Sequence, residues 1–278
     1  MSILSKDHIF AHGAPSRRVP VREYLPQTPP VGLILFSVGY GGQASGYGFL
    51  GRKWAGAGFS TFVIEHVGSN LDVLKTLAHL PKEERNREVV RRVQEPRELQ
   101  ARAHDVATVL EAVRARFAGL PWGLGGHSYG SYSALAGAGL QPRQTSTGIS
   151  SLRPDALLLI SPQPPGLLFT EEEYGEVDCP SLILTGTRDE LLSGESSFKD
   201  RLQVYHCLPP PYRQVLVQQG TDHMAFAGVG LKLEEHLKTA QNVTTLWWER
   251  QLLGRHADSD WCALVRGHLP SERIHLCR

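Results

Sequence analysis

Short apolar runs alternate along this chain with longer amphipathic segments, and this alternation constrains the fold more than any other feature. The runs cover residues 31–38, 60–65, 122–127, 155–160, 181–185 and 214–217. They are nearly continuous in Leu, Ile and Val, which is typical of strands covered on both faces. Helix-length stretches occupy residues 98–117, 131–140 and 231–253. The pattern predicts an α/β fold with a mostly parallel central sheet and helices on both faces.

Two further segments refine this prediction. Residues 17–24 place Val19 and Val21 on either side of Pro20, which lacks an N–H group, so we expect an antiparallel strand at the edge of the sheet. A chain of 278 residues can bury a core without disulfides or metals, and α/β domains of this length are common. We therefore predict a single domain over residues 1–278.

Residues 70–96 look like an insertion between a strand and a helix. Charges at i,i+4 spacing in residues 82–88 favour a solvent-exposed helix face, and the segment either covers the sheet edge or forms a lid over an active site. About twenty residues separate the strand that ends near Ser161 from the strand that begins at Ser181, too few for a large cap domain.

The charge balance limits the classes of partner. The chain has 29 Lys and Arg against 28 Asp and Glu, a net charge of +1, which argues against nucleic acid or an anionic membrane as partner. It has no apolar run of 18 residues and no apolar signal segment near the N-terminus, so we expect no membrane span and a cytoplasmic location.

The cysteines and histidines do not predict a metal site. Cys179, Cys207, Cys262 and Cys277 form no CxxC pair, which excludes a zinc ribbon; buried thiols are expected, with a disulfide between Cys262 and Cys277 as the alternative. His8 and His12 have the spacing of a helical ligand pair, but the Gly and Pro that follow favour a frayed, solvated terminus.

The strongest chemical signal is the pentapeptide at residues 126–130 (GHSYG), which fits G-x-S-x-G. It directly follows an apolar strand and directly precedes a helix of small residues, and in this context the motif presents a serine on a sharp turn. We therefore expect Ser128 to be a nucleophile at the start of a helix, although a plain Gly/Ser turn is the alternative.

A nucleophilic serine needs a histidine base and an acid that orients it. Asp189 follows the strand at 181–185, and His223 follows the strand at 214–217, so the chain order is Ser, Asp, His. Glu190 and Asp222 are rival acids. The oxyanion needs main-chain N–H donors, which we assign to Tyr129 and, in the glycine-rich loop after the first central strand, to Tyr40.

These features resemble the α/β-hydrolase superfamily, and within it the predicted dienelactone-hydrolase branch that includes the platelet-activating-factor acetylhydrolases. The resemblance rests on residues 36–42 (FSVGYGG), 65–70 (EHVGSN), 95–97 (EPR) with 105–106 (DV), and the turn at Ser128. The family usually has His-Gly where this chain has Val38 and Gly39. Dienelactone hydrolases themselves use a cysteine nucleophile, so dienelactone is not the expected substrate.

The residues and the resemblance together predict a serine esterase that hydrolyses small carboxylic esters, short-chain or aryl, through an acyl-enzyme. It needs no cofactor or metal, and a homo-oligomer is compatible with the sequence. Gly39, Gly41, Ala44 and Glu65 also fit a dinucleotide-binding fingerprint, which leaves a dinucleotide-binding enzyme as an alternative. A catalytically silent hydrolase-fold binding protein is the other alternative.

Overall fold

A continuous nine-stranded sheet forms the centre of the computed structural model, which describes residues 3–13, 16–190, 197–230 and 233–278. Its strands are β1 (Leu4–His12), β2 (Arg17–Leu25), β3 (Gly32–Ser37), β4 (Phe59–Ile64), β5 (Trp122–His127), β6 (Ala156–Ile160), β7 (Ser181–Arg188), β8 (Arg213–Asp222) and β9 (Ile274–Cys277). In space they follow the order β1-β2-β4-β3-β5-β6-β7-β8-β9.

The middle of the sheet is parallel. All neighbours from β4 through β8 pair in parallel, whereas β1, β2 and β9 pair antiparallel at the two ends. The predicted α/β class with a mostly parallel sheet is confirmed.

Helices cover both faces of this sheet. They are α1 (Gly48–Gly56), α2 (Leu71–Lys75), α3 (Lys82–Arg92), α4 (Pro96–Arg114), α5 (Tyr129–Ala138), α6 (Glu171–Tyr174), α7 (Phe198–Cys207), α8 (Leu233–Leu253) and α9 (Trp261–His268). Alternate side chains of β3 enter different cores: Leu35 packs with residues of α4 and α5, and Phe36 packs with residues of α1 and α8. The helix predicted at 231–253 is α8, and its expected first two residues lie outside the described part of the chain.

The N-terminal segment corrects two expectations. Residues 17–24 form an antiparallel strand as predicted, but the edge position was wrong, because β1 pairs along the outer side of β2 with Ile9 opposite Pro20. His8 and His12 lie in β1 rather than in a frayed terminus, and they bond the carboxylates of Glu23 and Asp105. Most side chains of β1 are exposed, and its sequence has no apolar run like those of the central strands. For this reason the sequence did not predict it as a strand.

The structure also bears on the expectations for the cysteines and for a membrane span. A disulfide joins Cys262 on α9 to Cys277 on β9, while Cys179 and Cys207 are free, so the alternative pairing is the one observed. Within the described ranges, no helix combines the length and hydropathy that a membrane span requires.

Candidate active site

Ser128 occupies the turn that joins β5 to α5. Its φ of +54° and ψ of −121° lie outside the regions that non-glycine residues normally adopt, which costs on the order of 1–3 kcal/mol. A side chain at Gly126 would overlap the backbone of Gly130, and one at Gly130 would overlap the carbonyl of Ser37. Glycine is therefore required on both sides of the strained serine.

The glycine-rich loop after β3 packs directly against this turn. A Cβ atom on Gly39 would lie 3.3 Å from the Cβ of Ser128. The N–H groups of Gly41 and Gly42 donate to main-chain oxygens, but no acceptor within the described residues takes the N–H of Tyr40. Tyr129 is the first residue of α5, so its N–H has no partner inside the helix. Both predicted oxyanion donors are thus available.

Asp189 directly follows β7 and is fully buried. Its Oδ2 accepts hydrogen bonds from the hydroxyls of Ser161 and Thr185, the latter at 2.8 Å. Its Oδ1 lies 2.8 Å from Nδ1 of His223 and 2.9 Å from Nη2 of Arg201. Burial disfavours the charge on this carboxyl, but Arg201, His223 and Ser161 outweigh it and hold the pKa of Asp189 well below its usual range.

His223 directly follows β8, and its side chain lines the same cavity as Ser128. The contact with Asp189 uses Nδ1, which leaves Nε2 to act on a substrate or on the serine. Among the described residues, no hydrogen bond joins the Ser128 hydroxyl to His223. Bonds of this kind are often long before substrate binds.

Within the described residues, neither rival acid is hydrogen-bonded to the ring of His223. Glu190 is exposed and lines the cavity, whereas Asp222 uses Oδ1 to accept the N–H of Ala225 at 2.9 Å. Of the three carboxylates that the sequence proposed, the structure pairs only Asp189 with the imidazole.

His127 and Tyr47 connect the parts of the site, and the sequence reasoning did not identify either role. The ring of His127 lies against that of His223, with centroids 4.7 Å apart, and its Nδ1 is 2.8 Å from the hydroxyl of Tyr47. The same hydroxyl accepts the N–H of Gly39 at 3.4 Å. Burial, reinforced by the neighbouring His223, holds the pKa of His127 well below its usual range, so this ring stays neutral.

Arg102 on α4 supports the glycine-rich loop after β3. Its guanidinium is fully buried, donates to the carbonyl of Val38 at 2.6 Å, and lies 4.2 Å from the centroid of the Tyr129 ring. The cation therefore holds together the two segments that carry the proposed oxyanion donors.

A buried row of hydrogen-bonded serine, histidine and aspartate side chains lies beside Arg102. The Ser37 hydroxyl is 2.7 Å from Nε2 of His66, and Nδ1 of His66 is 2.7 Å from Asp105. All three side chains are fully buried, so no substrate reaches them. Burial lowers the pKa of His66 to about 3, and we regard this row as a support for the loop after β3.

The cavity in front of Ser128 has a volume of about 200 Å³. One wall comes from the insertion at residues 70–96, and another from the loop after β6. Most of the lining is apolar or aromatic, contributed by Val89, Val90, Val93, Pro164, Leu167, Tyr40 and Tyr129. The polar residues of the lining are Ser128 and His223, together with Gln163, Glu190 and Arg201.

Glu65, the acid of the dinucleotide fingerprint, is engaged within the protein. Its Oε2 accepts the N–H of Ala44 at 3.1 Å, and its Oε1 accepts the side-chain amide of Asn70 at 3.0 Å. These bonds fix the glycine-rich loop and give each carboxylate oxygen of Glu65 a partner within the protein.

Comparison with protein-family models finds none that matches this chain, and comparison with curated proteins finds no match either.

Proposed function

We propose that this protein is a serine hydrolase that cleaves small carboxylic esters through an acyl-enzyme. One observation carries the proposal: a serine in strained geometry at a strand-to-helix turn shares a cavity with a histidine whose Nδ1 contacts a buried aspartate. Ser128 is the nucleophile, His223 the base, and Asp189 the acid that orients it. This assignment gives a role to side chains that three separate strands bring to one place.

The reaction has two halves. The Ser128 hydroxyl attacks the ester carbonyl carbon while Nε2 of His223 takes its proton, and the N–H groups of Tyr40 and Tyr129 bind the resulting oxyanion. Collapse of this intermediate expels the alcohol, which receives the proton from His223. Water then attacks the acyl-enzyme, again losing a proton to His223, and the acid leaves as Ser128 regains its hydrogen.

We also propose that the fold is that of an α/β-hydrolase of the dienelactone-hydrolase branch. The order of the three residues along the chain and their positions after β5, β7 and β8 support this assignment. Between β6 and β7 the described chain carries only the four-residue helix α6, which supports an architecture without a large cap domain.

The cavity supports a small substrate. A volume of about 200 Å³ with mainly apolar walls fits a short acyl chain or an aryl group better than a long lipid chain. The valines of the insertion form part of this wall, so we propose that residues 70–96 act as a lid over the bound ester.

Labelling with a fluorophosphonate probe tests the proposal. We expect the wild-type protein to be labelled, Ser128→Ala to lose the label, and the exposed-loop control Ser150→Ala to keep it. Thermal stabilisation by NAD without labelling would instead favour the dinucleotide-binding alternative. Absence of both responses would favour a catalytically silent binding protein.

A further inference from the structure

Arg201 on α7 is a buried cation beside Asp189, the acid of the proposed catalytic triad. Its side chain is only 2% exposed. The guanidinium donates to four main-chain carbonyls, those of Ser161, Pro162, Asp189 and Glu190, at 2.9–3.2 Å. It thereby ties the loop after β6 to the loop after β7, and its position is fixed from several directions.

The same guanidinium approaches both partners of the contact that orients the base. Nη2 of Arg201 lies 2.9 Å from Oδ1 of Asp189 and 3.1 Å from Nδ1 of His223. An ionised carboxylate can only accept hydrogen bonds, and a guanidinium can only donate them. Because Oδ1 of Asp189 is 2.8 Å from Nδ1 of His223, that nitrogen must carry the proton, and Arg201 pairs with the carboxylate rather than with the ring.

We propose that Arg201 is a positioning residue that acts through Asp189, holding the imidazole in the tautomer with a free Nε2. This inference rests on the proposed function, since it assigns His223 as the base. With Arg201 paired to its Oδ1, the ionised Asp189 carboxylate stays in place and can only accept a hydrogen bond from a proton-bearing Nδ1 of His223.

The other charged or titratable groups around His223 do not supply this effect. The ring of His127 from β5 lies tilted against that of His223 and stays neutral because of its burial. Glu190 lines the cavity with its side chain exposed to solvent, and the Asp222 carboxylate is bonded to the N–H of Ala225. Asp189 is the carboxylate in contact with the ring, and Arg201 is the cation beside it.

Two substitutions separate the charge of Arg201 from its structural bonds. Arg201→Met removes the charge and the bonds, whereas Arg201→Lys keeps a positive charge but cannot reproduce the four carbonyl contacts. We expect both variants to lose turnover. On p-nitrophenyl acetate, kcat should fall by about tenfold in Arg201→Met with little change in KM, and by less in Arg201→Lys, whose positive charge can still pair with Asp189. An unchanged kcat in Arg201→Met, or a loss that appears in KM alone, would overturn the proposal.

A second measurement does not depend on either variant folding or on activity. In protein labelled with ¹⁵N-histidine, we expect the neutral ring of His223 to carry its proton on Nδ1 in both the wild type and Ser128→Ala. A proton on Nε2 would mean that Arg201 donates to Nδ1, and the proposal would be wrong. Because the tautomer is visible in the Ser128→Ala protein, this failure is distinguishable from a failure of the proposed hydrolase function.

Discussion

At the scale of single residues, Asp189 gives the sharpest test of the proposed catalytic triad. Asp189→Asn should lower kcat by about 10⁴-fold, because an amide in place of the carboxylate permits the wrong tautomer of His223. Glu190→Gln is the matched control, since Glu190 neighbours Asp189 in the chain but is exposed and does not contact the ring. Steady-state rates on p-nitrophenyl acetate measure both effects, and similar losses in the two variants would contradict the assignment.

Tyr47 provides a second test at this scale, because its hydroxyl bridges Gly39, in the loop that carries a proposed oxyanion donor, and His127, which precedes the proposed nucleophile. Tyr47→Phe should lower kcat by about tenfold with little change in KM, since a buried hydrogen bond is worth about 1–3 kcal/mol when one partner is left unpaired. Tyr132→Phe is the control, because its hydroxyl instead donates to the carbonyl of Leu99. Equal effects on kcat would show that Tyr47 has no special role.

The residues that follow strands could be predicted from the sequence, but the buried residues that hold them in place could not. Ser128, Asp189 and His223 each follow a recognisable apolar run within a few residues, so their positions after strands could be predicted. Arg201 lies on a polar helix and looks like a surface residue; its burial arises from loops up to 40 positions away in the chain. No local pattern reports such a contact.

At the scale of elements, α3 forms a wall of the cavity and should limit the length of the bound ester. Val90 is partly exposed and lines the cavity, so Val90→Phe can narrow it with little strain on the core. We expect the ratio of kcat/KM for p-nitrophenyl hexanoate to that for acetate to fall by about tenfold, equivalent to roughly 1.4 kcal/mol. Glu84→Phe, on an exposed position of the same helix, should leave the ratio unchanged.

Two outcomes of the Val90→Phe experiment would contradict this prediction. If Val90→Phe lowers both rates equally, α3 supports the fold without contacting the acyl chain. A ratio that rises would place the long chain of the ester elsewhere in the cavity.

Strand boundaries were predictable where apolar runs end at clear breakers. The bounds of β5 match the prediction at both ends, whereas β7 and β8 extend beyond their apolar runs. Their additional residues include the polar pair Arg188 and Asp222, which pair with each other after a shift in the strand register. Neither this extension nor the exposed strand β1 carries the hydrophobic pattern on which such predictions depend.

At the scale of the whole molecule, the disulfide fastens the C-terminal strand to the rest of the fold. Cys262 and Cys277 are 15 residues apart, and closing a loop of that size contributes about 3 kcal/mol to the free energy of unfolding. Reductant should lower the urea midpoint of the wild type accordingly, and a variant with both cysteines changed to serine should match the reduced protein. Thiol titration of the unfolded, unreduced chain should find two thiols, those of Cys179 and Cys207.

The control for this prediction is the double variant, whose midpoint should not respond to reductant. Four titratable thiols in the purified wild-type protein, or a midpoint that reductant leaves unchanged, would contradict the pairing.

The central claim is that Ser128 is the one nucleophile of an esterase, and active-site titration tests it most directly. The protein is treated with increasing amounts of a fluorophosphonate, the remaining esterase rate is measured, and the modified peptide is mapped by mass spectrometry. We predict one phosphonyl group per chain, attached to Ser128, with the esterase rate falling in proportion to the modified fraction. Attachment at another residue, or an esterase rate that survives complete modification, would contradict the claim.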